Sequence, residues 1–313
     1  MARAGRFKIY ELEAWYHIHA RIAGHQGEYP LAKPAVMRHM MNTLEHFSRI
    51  YFCKVAAFSI MGSHYHLVVK FEALRQVDRE ELRERTRLMY PSKFSQDQIN
   101  LWSDEQWEHY RLRLFDVSEY MRNIQAAFAR WYNRNFRRRG KFWADRFKSV
   151  YLEDAEAVLD CMLYVELNPV RAGMVERPEE WHGSSIHLRE IGKAKWLAPL
   201  TEFLDHNREK RALQEFRERL YYRGAVRTKL GQAAISEEIL EKEIARGFKV
   251  RGMFRKRLGY FVDGMAIGTE EFLRAEIHKL REEGVYKRRK NPIPQLGGIH
   301  LSLREQRGTS IVF

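Results

Sequence analysis

The alternation in residues 64–71, HYHLVVKF, constrains this chain more than any other feature. A strict period of two marks a half-buried β-strand. Tyr65, Leu67 and Val69 turn to a core, and His64 and His66 leave the opposite face. Gly62-Ser63 reads as a turn, and residues 52–61, FCKVAAFSIM, read as the strand before it. Residues 12–22 also alternate and are rich in β-formers, so they predict a further strand, broken by Gly24, Gly27 and Pro30. Between the two, Val36, Met40, Leu44 and Phe47 recur at helical spacing over 35–50. The order strand, helix, strand, strand opens an α+β sandwich.

Residues 72–115 change character. They are densely charged with mixed sign, and Ser95 with Gln98 and Ser103 with Gln106 resemble capping boxes. We read them as an inserted helical excursion. Residues 117–135 predict a strong helix with Tyr120, Ile124, Phe128 and Trp131 on one face. A basic link, 136–149, leads to a short strand near 149–152 and a helix over 154–167. Asn168-Pro169 should close that helix, because proline lacks the N–H that continues the ladder. The first unit therefore runs over 1–195. A second unit, 200–313, is expected to be mainly helical. It comprises 202–222, a helix from Ser236 to Arg246, a hairpin at 259–268 around Asp263-Gly264, a helix capped by Thr269, and a basic tail that includes KRRK at 287–290.

With 313 residues, 45% of them hydrophobic, the chain can bury a sizeable core. Fifty-five Lys and Arg against 41 Asp and Glu give a formal charge of +14, which suits a phosphate polymer or an anionic membrane surface. No apolar run reaches the roughly 18 residues that would span a bilayer. The opening MARAGRFKIYELEAW has no signal-peptide core, so a cytoplasmic protein without a membrane partner is expected. Cys53 and Cys161 sit in apolar runs and read as buried free thiols.

His64 and His66 leave one face with Cα atoms about 6.5–7 Å apart. Two neutral imidazoles there, beside one further ligand, can hold a divalent ion that polarises a phosphate oxygen. An isolated His-x-His is more often a pair of surface or hydrogen-bonded strand residues. His17-Ile18-His19 repeats the spacing on another predicted strand, and spacing alone does not choose between the pairs. Tyr164 and Asn168 lie four apart near a helix end, hence on one face. A phenol can attack phosphorus, although its free pKa of about 10 calls for local activation. An amide oxygen can join a metal shell. Taken alone, the two residues read as an interior aromatic and a cap before Pro169.

The segments YHIHAR (16–21), FSIMGSHYHLVVK (58–70), RRRGKFWADRFKSVYL (137–152), LYVELNPVRAGMV (163–175) and WHGSS (181–185) occur in that order. The series resembles the single-tyrosine HUH transposases, specifically the REP-associated tyrosine transposase branch. It covers residues 8–190 well and 200–305 loosely. The resemblance implies a ferredoxin-like antiparallel sheet with helices packed on one face, in an α+β domain with a mainly helical C-terminal extension. It implies His64, His66 and Asn168 as ligands of Mg²⁺ or Mn²⁺, and Tyr164 as the nucleophile. The reaction it implies cuts and rejoins single-stranded DNA through a 5′-phosphotyrosine. The insertion at 72–115 and the large C-terminal unit depart from the minimal pattern. They leave substrate choice, and the alternatives of monomer and homodimer, open.

Within that frame, residues 118–149 carry a net +7 with eight interleaved aromatics. Arg21, Arg137, Arg138, Arg139, Lys141, Arg146 and Lys148 are the expected contacts to single-stranded or hairpin DNA. Phe128 and Trp131 are expected in the core. Two rivals stand beside this reading. One is a non-catalytic protein, derived from a transposase, that binds structured nucleic acid. The other is a metal-dependent nuclease that cuts by hydrolysis, without a covalent adduct.

Overall fold

The computed structural model describes residues 8–24, 27–227, 231–249, 266–282, 293–294 and 301–302. The chain begins β1 (Ala14–Arg21), α1 (Pro34–Ile50), β2 (Cys53–Ile60) and β3 (His64–Phe71). Three helices fill the insertion, α2 (Arg79–Met89), α3 (Lys93–Ile99) and α4 (Asp104–Leu114). Then come α5 (Val117–Asn135), β4 (Lys148–Leu152), α6 (Ala155–Arg171) and α7 (Ser185–Glu190). The remainder supplies α8 (Glu209–Ala225), α9 (Glu237–Ala245), β5 (Ala266–Gly268), α10 (Glu270–Glu282), β6 (Ile293–Pro294) and β7 (Leu301–Ser302).

The sheet order is β2-β3-β1-β4-β5-β7-β6. Its first four strands are antiparallel to their neighbours, in the ferredoxin-like arrangement, and β5 joins β4 in parallel. The fold is thus α+β, as the strand and helix periods require. The C-terminal segment, expected to be mainly helical with one hairpin, extends the sheet with three short strands. The hairpin expected at 259–268 lies outside the described residues up to 265, as does KRRK at 287–290. Among the described residues no helix is long and apolar enough to cross a membrane.

Helices cover both faces of the sheet, not one. Tyr16, Ile18, Tyr65, Leu67 and Val69 pack against α1 and α5, and the insertion extends that core through Leu82, Trp107 and Tyr110. Ala57, Val68, Val150 and Leu152 on the other face lie in a second core with α6 and with Phe216, Leu220 and Tyr221 of α8. The reason is composition. All but a few positions of α6 are apolar, so it buries nearly all round and cannot be a surface helix.

Two local expectations need correction. Helix α3 is capped by Ser92, whose hydroxyl accepts from the Ser95 N–H, and not by a Ser95–Gln98 box. Ser103 and Gln106 do form the reciprocal box of α4. Helix α6 runs past Asn168-Pro169 to Arg171. Pro169 leaves Val165 O without a backbone donor, and the Asn168 amide turns back on its own helix, with Nδ2 2.9 Å from Tyr164 O and 3.5 Å from Val165 O. The helix stops at Gly173, whose φ of 68° lets Met174 N reach Pro169 O and Gly173 N reach Val170 O.

Segment 181–185 clamps α6 to the sheet edge. Ile60 N donates to Gly183 O and Trp181 Nε1 to Ile60 O, which partners the edge of β2. A Cβ at Gly183 would come 2.8 Å from Met37 Sδ and 3.0 Å from Ile60 O, so a larger residue would have to push these neighbours away. The Ser185 hydroxyl accepts from Phe58 N at 2.9 Å and donates to Glu166 of α6, all three being fully buried. Burial raises the Glu166 carboxyl to about 7 despite that hydrogen bond. Ser185→Ala removes a partner from two buried groups at once. We expect it to lower the unfolding free energy by about 2 kcal/mol in urea titrations. A loss below about 0.5 kcal/mol would mean the clamp is not built this way.

Candidate metal centre

Antiparallel pairing of β1 with β3 sets His19 opposite His66, His17 opposite Val68 and Arg21 opposite His64. Residues directly opposite share a face. Both His-x-His pairs therefore leave the same side of the sheet, the side that α6 covers. The ligand nitrogens of His19, His64 and His66 lie within 4.8 Å of one another. The two pairs, read as competitors in the sequence, converge on one cluster. His19 is the member that sequence reasoning left out.

The fourth histidine sits beneath. His17 Nε2 is 3.0 Å from His66 Nδ1, and both residues are almost completely buried. Ser63 Oγ lies 3.2 Å from His64 Nδ1. In both candidate ligands Nδ1 is thus engaged, and Nε2 is the nitrogen left to face any cation. Helix α6 brings Tyr164 to the same place. Its ring meets His66 edge-on at 5.6 Å and His17 edge-on at 5.9 Å between centroids. Asn168 follows one turn later. Its amide nitrogen is committed to the helix, so any ligand role falls to Oδ1.

Burial sets the electrostatics. It lowers the His19 pKa to about 3, with His64, His17, Lys148 and Arg21 adding repulsion. It lowers His64 to about 4, with Arg21 contributing, and places His66 well below its ordinary value. At neutral pH these imidazoles are uncharged and keep the lone pairs that ligation needs. The charged groups acting on His19 are both cationic. Lys148 stands opposite His19 on β4, and Arg21 leads out of the sheet beside His64.

The basic link packs against the same sheet end. Ala23 N donates to Phe142 O, Ala144 N to Arg21 O, and Ile22 bridges to Trp143. Phe142 and Phe147 are buried and pin the loop. Arg137, Arg139, Lys141, Arg146 and Lys148 are exposed along it, while Arg138 is half-buried, with Nη2 3.2 Å from Ala23 O. Tyr120, Phe128 and Tyr132 are buried too, so five of the eight aromatics of 118–149 belong to the core. Phe128 meets the expectation of a core residue, Trp131 is half-buried with its ring stacked on His39 at 3.7 Å, and Phe136 is exposed.

No family model and no curated protein matches this chain. Among solved structures, that of a REP-associated tyrosine transposase bound to a REP hairpin is similar to it. The TM-score is 0.40 and the identity 16%, over 64% of this chain and 89% of that one.

The depressed histidines link stability to pH. Their folded pKa values lie below the unfolded value of 6.5, so the unfolded chain binds more protons between the two. Their contribution is complete above pH 6.5 and is lost as pH falls toward 4 and then 3. In urea titrations of metal-free protein, each histidine should add a slope of up to about 1.4 kcal/mol per pH unit in that window. His64→Gln and His19→Gln should each flatten the curve. Curves parallel to wild type would contradict the neutral, desolvated cluster.

Proposed function

We propose that this chain is a metal-dependent tyrosine strand transferase acting on single-stranded or hairpin DNA, of the REP-associated tyrosine transposase kind. One observation carries the reading: the ring of Tyr164 stands edge-on to His66, inside a cluster of neutral imidazoles that can hold a divalent cation.

The fit to a cation rests on the donors. Three nitrogens within 4.8 Å need only small side-chain rotations to share one ion, and their burial keeps them unprotonated. His19, His64 and His66 would hold it, with Asn168 Oδ1 as a further ligand. Of Mg²⁺ and Mn²⁺, a nitrogen-rich set favours Mn²⁺, since Mg²⁺ is the harder ion and takes oxygen. When bound, the cation supplies Lewis-acid stabilisation of charge on a phosphate.

The chain's own residues do the rest. Tyr164 supplies the nucleophile. Its phenolic oxygen gives up its proton to solvent and forms a bond to phosphorus as the bond to the 3′ oxygen breaks; that oxygen takes up a proton from solvent, leaving a 5′-phosphotyrosine and a free 3′-hydroxyl. Rejoining is the reverse, so no external energy source is required. Arg21 and Lys148 flank the histidines on the same face and bind the phosphates on either side of the reacting one. Arg137, Arg138, Arg139, Lys141 and Arg146, on the loop anchored at this end, extend the basic track along the strand.

The test is covalent trapping. Labelled single-stranded hairpin DNA with Mn²⁺ should give a band that survives a denaturing gel with wild type. Tyr164→Phe should abolish it while leaving DNA binding intact. Undiminished cutting by Tyr164→Phe would instead indicate a hydrolytic nuclease. Tight binding by wild type with no adduct and no cutting would indicate a binding protein. A second measurement tests the phosphate contacts. Arg21→Ala and Lys148→Ala should each reduce the slope of log affinity against log salt by about 0.7. Unchanged slopes would remove both residues from the interface.

A further inference from the structure

We propose that His17 is a positioning residue for His66: its Nε2 accepts the Nδ1–H of His66 and so presents Nε2 of His66 to the cation. The proposal rests on the metal-site reading above and adds a residue that reading does not use.

The argument starts from geometry. The His17 and His66 ring planes lie within 7° of each other, with centroids 5.1 Å apart and His17 Nε2 3.0 Å from His66 Nδ1. That centroid separation is near the largest the nitrogen distance permits. The rings therefore lie side by side in a common plane, aligned for an N–H···N bond, and are not stacked face to face. Such a bond needs one donor and one acceptor, so a single proton sits between the two nitrogens. Two arrangements satisfy it. With the proton on His66 Nδ1, Nε2 of His66 carries a lone pair and can ligate. With the proton on His17 Nε2, His66 must be protonated at Nε2 and cannot.

The surroundings favour the first arrangement once a cation is present. Both rings are almost completely buried, and Tyr164 meets both edge-on, so neither can turn away to water. A second partner holding Nδ1 is the usual way a ligating imidazole is oriented, most often a carboxylate or a backbone carbonyl. A carboxylate at position 17 would be a buried charge whenever the ion was absent. An imidazole can orient His66 without bringing a permanent charge. His64, nearer the surface, has the Ser63 hydroxyl in the equivalent place.

The test separates the acceptor from the shape. His17→Phe keeps a planar ring and removes the acceptor. His17→Gln offers an amide oxygen in its place. With Zn²⁺ as a spectroscopically silent probe, calorimetry on the full chain should show wild type binding and His17→Phe binding about 10–100-fold more weakly. His17→Gln should recover most of the loss. Nitrogen-15 NMR of zinc-loaded wild type should place the proton on His66 Nδ1. Thermal melts of the variants establish that they fold. Equal zinc affinity of wild type and a folded His17→Phe would overturn the proposal and leave the metal site standing, as would a His66 protonated at Nε2 in the loaded protein. Wild type that binds no divalent ion would overturn the metal site, and this proposal with it.

Discussion

The register between β1 and β3 is the constraint on which the rest depends. With His19 opposite His66 and Arg21 opposite His64, six polar side chains of these two strands (His17, His19, Arg21, His64, His66 and Lys70) face one way, and Tyr16, Ile18, Tyr65 and Leu67 face the other. A slip of one residue would exchange the two sets and drive histidines into the core beneath α1 and α5. The register is therefore held by hydrophobic burial on one face, and the cluster on the other face is a consequence of it. Helix α6 then needs only to lie across that second face to bring Tyr164 to the imidazoles. Its apolar surround and the Glu166–Ser185 clamp fix where it lies.

Much of the fold was legible because period is a local property. Alternation in 64–71 and helical spacing in 35–50 each report the face that must be buried, and both elements form where expected, to within a residue or two. Features that depended on two segments at once were not legible. That α6 would cover the second face, or that residues after 260 would add strands to the sheet, has no signature within either segment. The misread end of α6 is of another kind. Proline forbids one hydrogen bond, not a helix, and Asn168 turns its amide toward the carbonyls it leaves behind. The stop signal was Gly173, five residues beyond Asn168, where a left-handed φ closes the last turn.

The site divides the same way. His64 and His66 could be paired from spacing, and Tyr164 with Asn168 from helical phase, because each pair lies within one element. His19 belongs to the cluster through cross-strand pairing, which spacing does not contain. A signal was nevertheless present. Two His-x-His motifs lay on predicted strands, and both had their apolar neighbours in the alternate positions. Antiparallel neighbours with the same alternation present their histidines to a common side.

The composition of the centre bears on how it would work. Its candidate ligands are neutral, and the charges acting on His19 are those of Lys148 and Arg21. A divalent ion held there would have its charge balanced by none of these groups, and the two cations would oppose its entry. A bound phosphate relieves both problems, since it is an oxygen ligand and a counter-charge together. In the reaction proposed here, the ion and the DNA backbone would therefore each strengthen the binding of the other, a coupling that is reciprocal by thermodynamic necessity. A carboxylate-lined site would hold its ion tightly without substrate. One built from imidazoles, with an arginine and a lysine beside it, would be suited to assemble around the phosphate of the proposed reaction.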